Sequence, residues 1–396
     1  MEEIRMVKKS WLPPGGINLF QEIKRQCEVV EKGGKRIIKL SIGQPQGPAL
    51  LSARKGAASA VMEEDEEMHG YQDNGCPGIP GFAEQFVAAH VKRSLNIDGI
   101  SFLPIPGIKP MLGIVPLAIG SRLYKVGTMT EPGYPTPADQ CRYLQIPQYA
   151  LPLNPPNQFR SAMIAVRPKT RLLMLNYPHN PSGQIATRGY WRVICEFCID
   201  NHIRLFNDAA YAALQYAVQG ATLTDVALDY PELSWAEAFS ASKLIRNGTG
   251  WRVGAMVGST DFIGDIATIK GNTDSGFVGP MAAGVLNAIK TDQAGIKAVR
   301  EQYANRLDIL IQALEQCGMD LALRPKAGFF TLWLAPLRAF GRQIVDASDF
   351  NLAMIENTGI AGVPFGKYIR YSVCTDIEAS IEDIAKGFES AKIAHT

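Results

Sequence analysis

Six side chains of this 396-residue chain have types suited to proton transfer and anion binding. They are Asn180, Asp208 with Tyr211 three residues on, Lys243, Arg252 and Arg370. The first five stand in or near Gly- and Pro-rich clusters and apolar runs: Asn176-Tyr-Pro-His-Asn-Pro-Ser-Gly183, Ile203-Arg-Leu-Phe206, and Ser240-Ala-Ser-Lys243 followed by Gly250-Trp-Arg-Val-Gly254. Two more clusters, Pro106-Gly-Ile-Lys-Pro110 and Glu131-Pro-Gly-Tyr-Pro135, share their character. All are placed at predicted strand ends, and open α/β sheets bind ligands in the crevice beyond the carboxyl ends of their strands. Singly, each has a plain reading, because Gly and Pro make turns and a lone Lys is usually at the surface. Asp208 is different: it follows an apolar strand, where an unpaired carboxylate is costly, so a cationic partner is expected. Metal chemistry finds no support. The five His form no H-x-x-H or H-E-x-x-H pair, and Cys195-Glu-Phe-Cys198 reads as one helix face with no second half of a zinc site. Gly75, Gly78 and Gly81 do not make G-x-G-x-x-G, and G-x-x-x-x-G-K-[ST] and G-x-S-x-G are absent, so dinucleotide, P-loop and serine-hydrolase readings fall away.

The elements that must position these residues follow from hydrophobic pattern. Arg171-Leu-Leu-Met-Leu-Asn-Tyr177, Ile203-Arg-Leu-Phe-Asn207 and Val253-Gly-Ala-Met-Val-Gly258 are short apolar runs without alternation, as strands buried on both faces are. Residues 188–201 place Trp191, Ile194, Cys195 and Cys198 at helical spacing, a stripe that would cover a sheet face. Strand and helix alternate, which predicts a parallel α/β sheet in the middle of the chain. After about residue 280 the pattern changes to long helices over roughly 281–317, then strands at Ala327 to Leu334 and Lys367 to Val373, a smaller α+β unit. The acidic run Glu63 to Glu67 reads as a solvated helix end. Composition fits a folded soluble protein, with 46% apolar and 20% charged residues. The formal charge of +2 gives no basis for nucleic-acid binding by counterion release. Seven scattered Cys suit a reduced cytoplasm, and no signal peptide or membrane span is expected.

Taken together, Asn-Pro-x-Gly at Asn180, Asp-x-x-Tyr at Asp208, Ser-x-Ser-Lys at Lys243 and the late Arg370 in Tyr368-Ile-Arg-Tyr-Ser372 are separated by 28, 35 and 127 residues. In order and spacing they resemble the fold type I aminotransferases, the aspartate aminotransferase superfamily of pyridoxal-phosphate enzymes. Leu40-Ser-Ile-Gly-Gln-Pro45, Tyr71 with the following Gly-Ile-Pro, and Ala327-Gly-Phe-Phe-Thr-Leu-Trp333 extend the likeness over nearly the whole chain. The resemblance implies an α/β fold: a three-layer large domain with a mostly parallel sheet over 46–280, and a smaller α+β domain formed by both termini, from 1–45 and 281–396. It also implies pyridoxal 5'-phosphate held as an imine on Lys243, which then shuttles the proton. Asp208 would keep the ring nitrogen protonated, and Tyr211 and Asn180 would donate to the ring oxygen. Tyr134 would stack on the ring. Gly107, Ile108, Lys109, Ser240, Ser242 and Arg252 would hold the phosphate, with Tyr71 reaching it from a second subunit. Arg370, with Gly43 and Asn180, would bind the substrate α-carboxylate.

Two departures from the family pattern stand out. Pro110 supplies no amide, and Lys243 and Arg252 are nine residues apart where the family usually has eight, so a bulge is expected after Lys243 and Arg246 competes for the phosphate role. The implied activity is transfer of an amino group between an L-amino acid and a 2-oxo acid, by a homodimer with shared sites. The alternatives on this fold are a C-S lyase, a decarboxylase, a racemase or an amino-acid oxidase. The segment Lys270 to Gly276 resembles one that reaches the neighbouring site, with Thr273 or Ser275 on the phosphate. Lys270 there would favour an acidic substrate side chain.

Overall fold

The protein is described from a computed structural model that covers residues 11, 13, 19–95, 98–152 and 166–395. Its centre is a seven-stranded sheet of β1 (Ile100–Ile105), β2 (Lys125–Glu131), β3 (Gln148–Pro152), β4 (Thr170–Asn176), β5 (Arg204–Asp208), β6 (Trp235–Ser240) and β7 (Gly254–Ser259), in the order β1-β7-β6-β5-β4-β2-β3. The five strands from β6 across to β3 pair in parallel, and β7 alone runs against its neighbours β6 and β1. The apolar runs form the central strands because both faces are covered. One core holds Leu173, Leu205, Trp235 and Phe239 with helix α4 (Arg188–Asp200), whose Trp191, Ile194, Cys195 and Cys198 are all buried as the spacing predicts. The other holds Leu172, Phe206 and Met256 with helices α3 (Ile108–Ile114) and α5 (Thr260–Gly271). Helix, sheet, helix is the three-layer arrangement expected.

A second, antiparallel sheet of β8 (Leu321–Leu323), β9 (Phe330–Leu334), β10 (Val363–Phe365) and β11 (Tyr368–Ser372) carries Arg370 on β11, opposite Leu332 and Val363. Both ends of the chain build this smaller unit. Helix α1 (Leu19–Lys32) packs Ile23 and Cys27 on Ile355, Val363 and Phe365, and Ile38 pairs with Ile360. The strand foreseen from Ala327 begins only at Phe330, since Gly328 has φ +76° and Ala327 bridges to Gln215. The helical stretch 281–317 is two helices, α6 (Gly279–Thr291) and α7 (Gln293–Gln316), broken where the Asp292 side chain accepts a hydrogen bond from Gly295 N. Helix α6 does not join the smaller unit. Its Ala282, Val285, Leu286 and Ala288 belong to the core of the large sheet, and Gly284 lets it approach helix α2 (Leu51–Val61), where a Cβ would come within 2.5 Å of Ala53 O. We therefore propose the division at Asp292 rather than at 280. Among the described residues no helix is long and apolar enough to cross a membrane.

Candidate active site

The carboxyl ends of β4, β5 and β6 open into one cavity of about 650 Å3. Of the residues singled out in the sequence, Gly43, Ile108, Lys109, Tyr134, Asn180, Asp208, Tyr211, Ser240, Ser242, Lys243, Arg252 and Arg370 line it together. Strand periodicity explains the aim of the two central groups. Asp208 has the same parity on β5 as Phe206, facing the α3 and α5 layer, and its register partner Ala238 leads into Ser240 and the turn that carries Lys243.

The electrostatics of this pair follow from burial. Desolvation pushes the Asp208 carboxyl up to about 6, opposed by a hydrogen bond from Ala210 N (3.0 Å) and by the charge of Lys243. Desolvation likewise lowers the Lys243 ammonium, against the pull of Asp208 and with a smaller push from Arg252. Asp208 thus has the cationic neighbour that its apolar strand demanded, beside its hydrogen bond from Ala210 N. The Lys243 Nζ stands 5.1 Å from the centroid of the Tyr211 ring.

Arg370 is almost fully buried, its guanidinium 4.0 Å from the Phe330 ring centroid and also near Phe20 and Phe365. It donates to Asn180 Oδ1 (3.0 Å) and Ser41 O (2.8 Å), while its Nε has no partner among the described residues. Burial lowers it to about 10, so it remains a cation at neutral pH. Because Asn180 Oδ1 is taken by Arg370, the amide Nδ2 is left as its donor. Gly43 lies against the same ring: a Cβ there would be 3.1 Å from Phe330 Cζ.

Beside Lys243, Ser240 Oγ and Ser242 Oγ are 2.9 Å apart. Helix α3 begins at Gly107, at φ +80°, with no side chain capping its first amides. Arg252 fills the space where a side chain would be: a Cβ on Gly107 would meet Arg252 Nη2 at 2.5 Å, and that nitrogen donates to Pro106 O (3.1 Å). Between Lys243 and Arg252, where a bulge was expected, the backbone is left-handed at Arg246 (φ +70°) and again at Arg252 (φ +56°). Arg246 turns toward Gly47 and does not line the cavity, which leaves the cradle to Arg252.

Four residues of the Tyr71 loop and the 270–275 segment lie outside the cavity, and of these Lys270 departs from expectation. Tyr71 is 78% exposed and does not line the cavity of its own chain. Thr273 and Ser275 are exposed on the adjoining loop, which is tied to the Tyr71 loop by Asp73 N to Ser275 O (3.0 Å). Lys270 is wholly buried, donating to Asp274 Oδ1 (2.7 Å) and Asn74 Oδ1 (3.1 Å), so its charge is spent inside its own chain and it cannot read a substrate side chain. Sequence reasoning missed Asn176. Its Oδ1 accepts from Asn180 N (2.9 Å) and its Nδ2 donates to Asp208 O (2.8 Å), so one amide holds two cavity residues in place. The signal was present, since Asn176 opens the cluster that contains Asn180. No group of His, Cys, Asp and Glu suited to a metal ion occurs among the described residues.

The chain matches the family model for aminotransferase class I and II over residues 35–384. It belongs to that family. It is 29% identical over 371 residues to the LL-diaminopimelate aminotransferase of Methanocaldococcus jannaschii, covering 90% of this chain and 85% of the relative. Its fold matches the aspartate aminotransferase of Rhizobium meliloti with TM-score 0.84 at 21% identity, over 98% of both chains. It also matches the N-succinyldiaminopimelate aminotransferase of Mycobacterium tuberculosis with TM-score 0.82 at 20% identity, over 96% of this chain and all of that one. The reaction class is therefore amino-group transfer, in preference to the lyase, decarboxylase, racemase and oxidase alternatives.

Proposed function

We propose that the cavity binds pyridoxal 5'-phosphate and that this aminotransferase works as a homodimer, moving an amino group from an amino acid to a 2-oxo acid. The observation that carries the reading is the meeting, in one cavity, of a buried lysine, a buried strand-end carboxylate and two guanidinium groups with separate surroundings. The residues fit the group. The uncapped start of α3, the Gly107 gap filled by Arg252, and the Ser240 and Ser242 hydroxyls suit a phosphate. The Asp208 carboxylate, with a single hydrogen bond among the described residues, has an oxygen left for a ring N–H. When bound, the cofactor supplies the electron sink that makes the substrate Cα–H acidic.

The chain's own groups would then divide the work. Lys243, its ammonium lowered by burial, would take the proton from the substrate Cα and return it to the carbon on the far side of the nitrogen. Asp208 keeps a proton on the ring nitrogen, and that cation in turn stabilises the carboxylate against its desolvation. Tyr211 and Asn180 Nδ2 donate to the ring oxygen, Tyr134 covers the ring face, and Ile108 and Lys109 give backbone amides to the phosphate. Arg370 grips the α-carboxylate, which every amino-acid substrate shares. The exposed Tyr71, on a loop fixed to the 272–275 segment, supports contribution of that tyrosine to a second subunit's site. Lys109 lines the cavity without an acidic partner among the described residues, and with the diaminopimelate and aspartate names of its relatives it supports a substrate with a second carboxylate. Seven unpaired cysteines support a reduced, cytoplasmic setting.

The test is spectroscopic. Protein loaded with pyridoxal phosphate should show a visible band that an amino donor bleaches and a 2-oxo acid restores, with donors screened against 2-oxoglutarate and pyruvate. Release of ammonia, sulfide or carbon dioxide without restoration would overturn amino transfer, and full activity in a monomer by light scattering would overturn shared sites.

A further inference from the structure

On the face of the sheet away from the cavity, Glu237 of β6 is completely buried, and among the described residues it forms no ion pair. None of the roles above uses it. Four donors converge on its carboxylate. Asn207 Nδ2 (2.7 Å) and Leu223 N (3.0 Å) reach Oε1, while Thr224 N (2.7 Å) and Thr224 Oγ1 (2.7 Å) reach Oε2. The two backbone N–H groups and the Asn207 amide nitrogen can only donate, so the site accepts a carboxylate and rejects an amide, which would turn an N–H against a donor at one oxygen or the other. Burial raises the Glu237 carboxyl to about 7, and the same hydrogen bonds hold it down against that penalty.

What the carboxylate controls is Asn207, its register partner on β5. The Asn207 side chain clips the Tyr177 peptide from both sides: Oδ1 accepts from Tyr177 N (2.9 Å) and Nδ2 donates to Tyr177 O (3.0 Å). Reversal of that amide would put Oδ1 against the Glu237 anion and an NH2 against Tyr177 N–H, so Glu237 permits one orientation only. Tyr177 opens the turn between Asn176 and Asn180, and Asn176 in turn holds Asn180 N and Asp208 O.

We propose that Glu237 is a positioning residue for the candidate active site: by fixing the Asn207 amide it clips Tyr177 and sets the turn from which Asn180 meets Arg370 and the substrate. The substrate part of this statement rests on the function proposed above, whereas the positioning of the turn does not.

The test therefore starts with the cofactor-free protein. In Glu237→Gln, hydrogen exchange at the Tyr177 and Asn180 amides should speed up at least tenfold. Asn207→Leu should do the same, and the double variant should add nothing further, because both act through one clip. Thr224→Val removes one donor to Glu237 without touching Asn207, and should loosen residues 223–227 while leaving 177 and 180 unchanged. In the loaded enzyme, Glu237→Gln should raise KM for amino and 2-oxo acids about tenfold, more than it lowers kcat. Glu237→Asp, which keeps the charge on a shorter stem, should fall between wild type and Gln, and it replaces Gln as the test if Gln does not fold. Wild-type exchange at Tyr177 and Asn180 in the Gln variant, or in the Asp variant when that replaces it, overturns the proposal, as does an additive double variant. Faster exchange in a protein whose wild type transfers no amino group would instead refute the proposed function and leave the positioning of the turn standing.

Discussion

Burial of the Asp208 carboxyl costs stability, and Asp208→Asn should separate that cost from the chemistry proposed for it. The asparagine keeps an oxygen for Ala210 N and removes the charge. In the folded, cofactor-free protein the Asp208 carboxyl titrates at about 6 against an ordinary value of 3.8, an interval of roughly 3 kcal/mol. The native state therefore holds this proton more tightly than the unfolded chain. As pH rises from about 4 to about 6 the unfolded chain gives up the proton first, and wild-type stability falls by that amount and then levels off. The asparagine variant has no such loss. Denaturant unfolding of the two cofactor-free proteins should coincide near pH 4 and diverge to roughly 3 kcal/mol in favour of the variant by pH 7. Every other titrating group is common to both and cancels in the difference. The loaded variant should show the opposite sign, with kcat down by about 10² to 10³, the usual cost of losing one preorganised charge. Stability curves that run parallel from pH 4 to 8 would refute the burial argument. A stabilised variant with unimpaired turnover would refute the catalytic one.

Three other outcomes are expected. Lys243→Ala should abolish the visible band and turnover without lowering the melting temperature, and borohydride should label Lys243 in the wild type; a label on another lysine sinks the assignment. Arg370→Lys should weaken all amino and 2-oxo acids by a similar factor, about tenfold or more, since an ammonium cannot reproduce the planar fork held by Asn180, Ser41 and the Phe330 ring. Steady-state KM over several substrates checks this, and loss of a single substrate would move Arg370 to a side-chain pocket. Gly107→Ala should weaken cofactor retention by at least tenfold in equilibrium dialysis, because its Cβ would displace Arg252 and because alanine resists φ +80°; unchanged retention would remove Arg252 from the cradle.

How much of this was legible in sequence depended on whether a residue announces its neighbours. The strands around Leu173, Leu205 and Ala255 and the buried stripe of α4 were readable because burial on one or two faces imposes a pattern on consecutive residues. The cavity residues were readable because their types and order form a motif. Glu237 was not, since it acts through Asn207, 30 residues away, and of the two bonds made by Asn176 only the one to Asn180 was local, Asp208 lying 32 residues off. Lys270 was misjudged for a related reason. A lone lysine in a polar run gives no sign that Asp274, one helical turn on, and Asn74, far off in sequence, enclose it. The break at Asp292 was likewise invisible, because the apolar pattern continues past it and only a capping geometry ends the helix.

The hydrogen bond between Arg370 and Asn180 joins a strand of the smaller sheet to the turn that follows β4 of the larger one, 190 residues apart in the chain. Backbone bonds between the two units also run from Lys326 N to Gly183 O (2.9 Å), from Tyr216 N to Lys326 O (3.0 Å) and from Gly328 N to Leu214 O (2.9 Å). They tie the loop ahead of β9 to the turns that follow β4 and β5. A ligand that spanned the cavity from Arg370 to Lys243 and Asp208 would add a further tie between the same two units. Affinity for a carboxylate at Arg370 and the attachment of the smaller unit to the larger would then be linked, each strengthening the other.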